Sequence, residues 1–318
     1  MKPNAKFINS EKIEGYVYST GNSFNQLQER VTGENSKNPG TKYIAGDLDI
    51  AVDENGLNVI TVHYTYVTET TKTGKVNNTF TTLKRIIDNP DKTWINGGKD
   101  NAFKVQCTGV SVAVNDFIAG DGTKVAAIRN ENGFCNFVTA LSPENERNTF
   151  TTDMLITKVT HIDADPERNI NDDYTNVSGC VFGWGPTIVP VSFVVRNPNG
   201  MKFFEDLDLT PSEPVFTKVW GKINCMTIKV ERKEESAFGE AAVQTYERKS
   251  REYVITGTSK VPYDFGDEEV LTAEDVNKMA QDRQVRLAEI EKRYNDRKAS
   301  TNQSNATVQE VPAGNFVF

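Results

Sequence analysis

Five strand-like segments follow one another between residues 177 and 257, with a glycine inside the first and the fourth. The first, 177–182, reads Val-Ser-Gly-Cys-Val-Phe. The second, 187–197, alternates Ile188, Pro190, Ser192 and Val194 with Val189, Val191, Phe193 and Val195, the period of two that a strand imposes. Asn197-Pro198-Asn199-Gly200 carries turn chemistry, so 201–209 is expected to return as the third strand. The fourth, 216–223, contains Lys218, Val219, Trp220, Gly221 and Lys222, and a ribbon of 226–233 and 242–257 completes the set. Short strands with interior glycines, where the chain must bend, suit a small closed barrel.

The order of these residues resembles the OB domain of bacterial single-stranded-DNA-binding proteins. In that family an apolar strand with a glycine opens the barrel. A long strand ends near a basic residue, as Phe193-Val194-Val195-Arg196 does, and a V-x-G-x-L strand, here Val219-Trp220-Gly221-Lys222-Ile223, precedes a basic hairpin. The family usually places a helix between strands three and four, whereas the link expected here, 210–215, is too short for one. The whole chain also resembles uncharacterised early proteins of tailed bacteriophages. The resemblance implies single-strand binding in a host cytoplasm, in support of phage DNA replication or recombination.

The 318 residues suffice for two domains with real cores. The first half offers a strand at 13–18, a weak helical pattern at 23–32 and a strong hairpin at 42–68 around Asn55-Gly56. Further strands are expected at 79–87, 124–129, 134–141 and 154–161, with a strand pair or one bent strand around Gly109 at 103–117, 124–141 forming a hairpin and 154–161 closing the first domain. Words at 13–18, 41–46 and 155–157 recur in the same order at 177–182, 217–221 and 254–256, a hint of tandem duplication. The expected fold is therefore mainly β: an OB-like first domain over 1–162 and a second over 163–265. A linker and charged helix occupy 266–298, with Thr272 as N-cap, and a polar tail follows over 299–318. The helix either packs along a barrel or meets a partner helix.

A net charge of −8 argues against a general polyanion binder but allows one basic groove. No apolar run approaches the roughly 18 residues of a membrane span, and residues 1–6 form no apolar leader. Cys107, Cys135, Cys180 and Cys225 are widely spaced and sit among strand residues, so buried free thiols are expected rather than zinc ligands. With only His63 and His161, a histidine-based triad or metal site has little to draw on.

Single-strand binding needs cations along a groove and flat rings for bases. The candidates in the first half are Tyr64, Tyr66, Lys84, Arg85, Trp94 and Lys104. Those in the second are Phe193, Arg196, Lys218 and Trp220, with Lys229, Arg232, Arg248 and Lys249 on the ribbon. Tyr64, Phe193 and Trp220 alternate with apolar neighbours and fit a core equally well. Phe316 and Phe318 tip the tail, where they fit either a recruited replication or recombination protein or a docking place on the chain itself or on a second subunit of a homo-oligomer. Asp47-Leu48-Asp49 and Asp206-Leu207-Asp208 each put two carboxylates on one strand face and can hold Mg²⁺. No phosphate loop, zinc-protease or serine-hydrolase motif accompanies them, so no catalytic residue, metal or cofactor is expected. A phage structural or host-interaction protein working through protein partners is the alternative reading.

Overall fold

The computed structural model describes residues 7–165, 170–185, 187–210, 213–234 and 242–305, without the side chains of 227–234, 242–249 and 300–305. The first half contributes β1 (Asn9–Ser19), β2 (Gln28–Val31), β3 (Lys42–Ala51), β4 (Val59–Thr68), α1 (Asn78–Asp88), α2 (Trp94–Gly97), β5 (Lys104–Ile118), β6 (Lys124–Glu131) and β7 (Phe134–Phe137). The second contributes β8 (Asn148–Ile162), β9 (Tyr174–Gly183), β10 (Thr187–Val195), α3 (Pro198–Glu205), β11 (Val215–Glu234), β12 (Ala242–Thr258) and α4 (Ala273–Asn305).

The strands form one twelve-stranded sheet that closes on itself twice. In the first circuit β1 pairs with β3, β3 with β4, β4 runs parallel to β6, β6 pairs with β5, and β5 returns to β1. In the second, β8 pairs with β9, β9 with β10, β10 runs parallel to β12, β12 pairs with β11, and β11 returns to β8. Both circuits have the order first, second, third, fifth, fourth, first, with one parallel pair and a helix between the third and fourth strands. This is the five-stranded Greek-key barrel of an OB fold, so the chain is mainly β with two such barrels.

Several local expectations are corrected. Residues 79–87 form α1, not a strand. Asn77 caps the helix by accepting from the Thr79 N–H, and Phe80, Leu83 and Ile86 bury one face at helical spacing. Residues 201–209 are not the third strand either. Asn197 accepts from the Asn199 and Gly200 N–H groups and Pro198 occupies the first turn, so α3 starts where a turn was expected. The helix missing from the sequence-level comparison is therefore present. Residues 23–32 hold turns and β2, which adds to β3. β6 and β7 do not pair with each other, because both pair with β5.

β8 does not close the first barrel. It opens the second, so 177–182 lies on that barrel's second strand and a cut after residue 162 falls inside the second circuit. The recurring words also fall on non-equivalent strands: 13–18 on a first strand, 177–182 on a second. Both interior glycines sit at register shifts of the sheet, where a strand bends, and both also allow close approach. A Cβ on Gly179 or Gly221 would lie 1.9 Å from the carbonyl oxygen of Leu155 or Val254, respectively.

The barrel interiors join into one apolar cluster. Ile13, Leu48, Ile60 and Val62 are wholly buried in the first barrel, each worth roughly 1.5–3 kcal/mol over an exposed state. In the second, Phe150, Phe193 and Tyr253 pack with ring centroids 5.0–5.4 Å apart. All four cysteines are buried and free.

Residues 9–13 of β1 pair with 152–148 of β8 and so join the barrels. Beneath this seam Glu11 is 1% exposed. Tyr253 Oη lies 2.9 Å from Glu11 Oε1 and 2.5 Å from Asn130 Oδ1. One hydroxyl proton cannot serve both acceptors. A protonated Glu11 resolves this by donating to Tyr253, which then donates to Asn130. Burial pushes the Glu11 carboxyl up to about 8, against the pull of Tyr253 and Arg251, in agreement with that arrangement.

α4 packs along both barrels. Thr272 and Asp275 cap its start reciprocally. Met279 enters a small apolar cluster outside the second barrel, Arg283 bonds Asp116 at 2.6 Å, and Tyr294 donates to Gly120 O at 3.1 Å on the β5–β6 hairpin.

Candidate nucleic-acid interface

Alternation along β11 decides which side chains face water. Val219 and Ile223 are buried, and Lys218, Trp220 and Lys222 point the other way. Trp220 is 39% exposed. Its indole lies against Gly257 of β12, where a Cβ would come within 2.5 Å of the ring. Only a residue without a side chain lets the ring come this close, and part of the indole stays in water. Lys218 and Lys222 flank it, each roughly 7 Å along the strand.

The register carries this face onto the first barrel. Lys222 is opposite Thr149, and Thr149 is opposite Lys12 of β1. Burial holds the Lys222 ammonium below its ordinary value; Glu146 opposes this and Lys12 adds to it. A bound phosphate would offset both the desolvation and the like-charge crowding with its own charge. Lys12 itself reaches Glu14 at 3.0 Å and Ser142 Oγ at 3.2 Å. Lys222 was legible in the sequence, two residues beyond Trp220. Lys12 carried no local signal, because only the pairing of β1 with β8 brings it here.

On the first barrel Trp94 and Lys104 meet at Tyr16, while Arg85 packs on a separate pair of rings. The Arg85 guanidinium lies over Phe103 and Phe137, 5.4 and 5.2 Å from their centroids. Lys104 lies 5.7 Å from the Tyr16 centroid, and Trp94 closes edge-on over Tyr16 at 5.5 Å. Lys99 completes this cage and pairs with Glu54 at 2.6 Å. Lys84 bonds Asp88 and reaches Glu29 at 3.6 Å. Tyr66 is exposed and packs on Tyr43 at 4.6 Å.

Two candidates are core residues. Tyr64 is fully buried, with its hydroxyl 3.4 Å from Cys107 Sγ, and Phe193 is 1% exposed in the second barrel's ring cluster. As platforms for bases they are ruled out by the alternation that sends them inward. Arg196 is exposed, lies over Tyr174 at 5.1 Å and pairs with Glu252 at 2.7 Å. Lys229, Arg232, Arg248 and Lys249 lie on the paired ribbon, but their side chains fall outside the described residues. Phe316 and Phe318 also lie outside them.

The paired acids are engaged elsewhere. Asp47 bonds His63 Nδ1 at 2.5 Å, and Asp49 accepts from Ser19 at 2.5 Å and Thr61 at 2.6 Å. Asp206 and Asp208 follow α3 and share no strand, contrary to expectation. Among the described residues one group could hold a metal ion: His161, Asp163 and Asp173, all exposed. The His161 ring is already bonded to Glu205 at 2.8 Å, which raises its basicity. No described helix is long and apolar enough to cross a membrane.

The sequence model of the family described as YorF matches residues 21–293. No curated protein sequence matches the chain. Two solved structures of the single-stranded DNA binding protein from Thermus aquaticus are similar to it. A deletion variant is 10% identical, covering 83% of this chain and 98% of its own, with a TM-score of 0.47. The wild type is 9% identical, covering 82% and 96%, with a TM-score of 0.45. The barrel topology described above stands on the backbone pairing itself.

Proposed function

The chain belongs to the YorF family, and we propose that it binds single-stranded DNA without sequence preference and without catalysis, in support of phage DNA replication or recombination in the host cytoplasm. The observation that carries this reading is Trp220, seated against Gly257 and 39% exposed, flanked by Lys218 and Lys222 and joined across the sheet by Lys12. A base stacks on the exposed part of the indole, worth roughly 1–3 kcal/mol and indifferent to base identity. The lysines on either side follow the phosphates. Binding then releases counterions and weakens as salt rises.

The test is fluorescence anisotropy of a labelled dT30 strand, titrated with the whole chain at two salt concentrations, with duplex DNA as competitor. Tight, salt-sensitive binding that duplex does not displace is expected. No binding at low salt sinks the reading and turns attention to protein partners.

A further inference from the structure

A groove of about 550 Å³ opens between the barrels, on the far side of β1 from Trp220. One wall is β5 from Gly109 with the β6–β7 turn, another is the β9–β10 turn, and Arg286 of α4 flanks it. Two rings stand in it almost unpartnered: Trp184 is 95% exposed and Phe134 is 67% exposed. An indole alone leaves roughly 150–250 Å² in water, so neither ring is placed by burial in this chain's own core.

Phe134 is nevertheless held in place. It follows Asn132, whose N–H donates to His63 O at 2.8 Å and whose Oδ1 accepts from the Thr65 N–H and Oγ1, both at 3.0 Å. The turn is thereby tied to β4. On the other wall the Thr187 hydroxyl closes the β9–β10 turn onto the carbonyl of Trp184 at 3.3 Å. The one carboxylate lining the groove, Glu131, is paired with Arg129. Arg286 is exposed, so the groove offers one guanidinium beside a carboxylate that is already paired.

The groove is continuous with the Trp220 face. Lys222, Thr149, Lys12, Thr108 and Phe134 form one cross-strand row through β11, β8, β1, β5 and β7. Four strand spacings separate its ends, roughly 19 Å. We propose that this groove is a second base-stacking station. A single strand leaving Trp220 crosses at Lys12, sets bases on Phe134 and Trp184, and offers phosphate to Arg286. Val112, Val114, Ile188 and Val189 line the groove together with Ser111, Asn132 and Thr187, and the guanidinium of Arg286 beside this mixed surface suits a phosphate-bearing strand better than a purely apolar partner.

This inference rests on the single-strand reading, and strand length separates the two. Labelled dT4 and dT30 are titrated against wild type, Trp220→Ala, Phe134→Ala/Trp184→Ala and Arg286→Glu. The groove predicts that Phe134→Ala/Trp184→Ala binds dT30 at least tenfold more weakly while dT4 changes less than twofold, because four nucleotides at about 3.4 Å each fall short of the roughly 19 Å between the stations. Arg286→Glu should weaken dT30 about threefold. Trp220→Ala should weaken both lengths. If the groove variants bind dT30 as wild type does and Trp220→Ala does not, the groove is overturned and the function stands. If wild type binds neither length at low salt, both fall. The two groove rings are mostly exposed, and an unchanged thermal melt confirms the variants are folded.

Discussion

In the first barrel Trp94 closes over Tyr16, inside a cage of Lys99 and Lys104. In the second, Trp220 rests on Gly257 with part of the indole in water. The two barrels have the same strand order, yet one uses its surface tryptophan to seal a helix against a strand and the other holds it open. The faces of their second and third strands differ as well. The first barrel fills its face with the Asp47–His63 and Asp49–Thr61 bonds, and the second carries Tyr174 beneath Arg196. A shared topology thus says little about where a strand of nucleic acid lies; the partners of each ring and charge decide it.

The largest effect expected concerns the seam that makes the two barrels one body. Glu11 belongs to the first and faces Tyr253 of the second. Its carboxyl sits at about 8 in the fold against 4.5 ordinarily, so the native state binds the extra proton between those values. Stability therefore falls as pH rises from about 4.5 to about 8 and levels off above, by a few kcal/mol at about 1.4 kcal/mol per pH unit. Glu11→Gln should flatten that slope in urea melts at pH 5, 7 and 9. A slope unchanged in the variant would mean that Glu11 is not its source.

Next in size, Trp94→Ala should cost roughly 3 kcal/mol, the low end for a large ring because the residue is only half-buried, and leave dT30 affinity within twofold. Trp220→Ala combined with Lys222→Glu should do the reverse: affinity falls about thirtyfold, equivalent to about 2 kcal/mol, with little change in melting temperature. If both variants lose stability and neither loses affinity, the contrast between the tryptophans collapses. The smallest effect is the sharpest. Gly257→Ala puts a methyl where the indole lies, tilting the ring without removing it, and about a fivefold loss of affinity is expected. An affinity equal to wild type would show that the seat of the ring on Gly257 is irrelevant.

Much of this architecture was written locally. The 42–68 hairpin follows from alternation and Asn55-Gly56, and the outward row of Lys218, Trp220 and Lys222 is a period-two pattern in five residues. The two helices were hidden by composition. Threonines and isoleucines in α1 suggest a strand, while Thr79, Phe80, Leu83 and Ile86 keep helical spacing. Asn197-Pro198 reads as a turn, yet the same pair is a helix cap followed by its first residue. The fate of β8 and the arrival of Lys12 beside Lys222 were not legible, because both depend on pairings between segments far apart in the chain. The same is true of Glu11: nothing around it in sequence announces that Tyr253 will bury it.

The double duty of β8 bears on how the chain is made. Synthesis proceeds from the N-terminus, so β8 can join β1 while most of the second barrel is still unmade. Its partner β11 begins at Val215 and β8 ends at Ile162. At about 5–20 residues per second that gap lasts roughly 3–10 s. Throughout it, a fifteen-residue strand waits with an unpaired edge, the arrangement most prone to recruit a wrong neighbour. A nascent chain arrested in this window would be the one to aggregate, and slowing translation beyond residue 162 should lower soluble yield more than slowing it before residue 148.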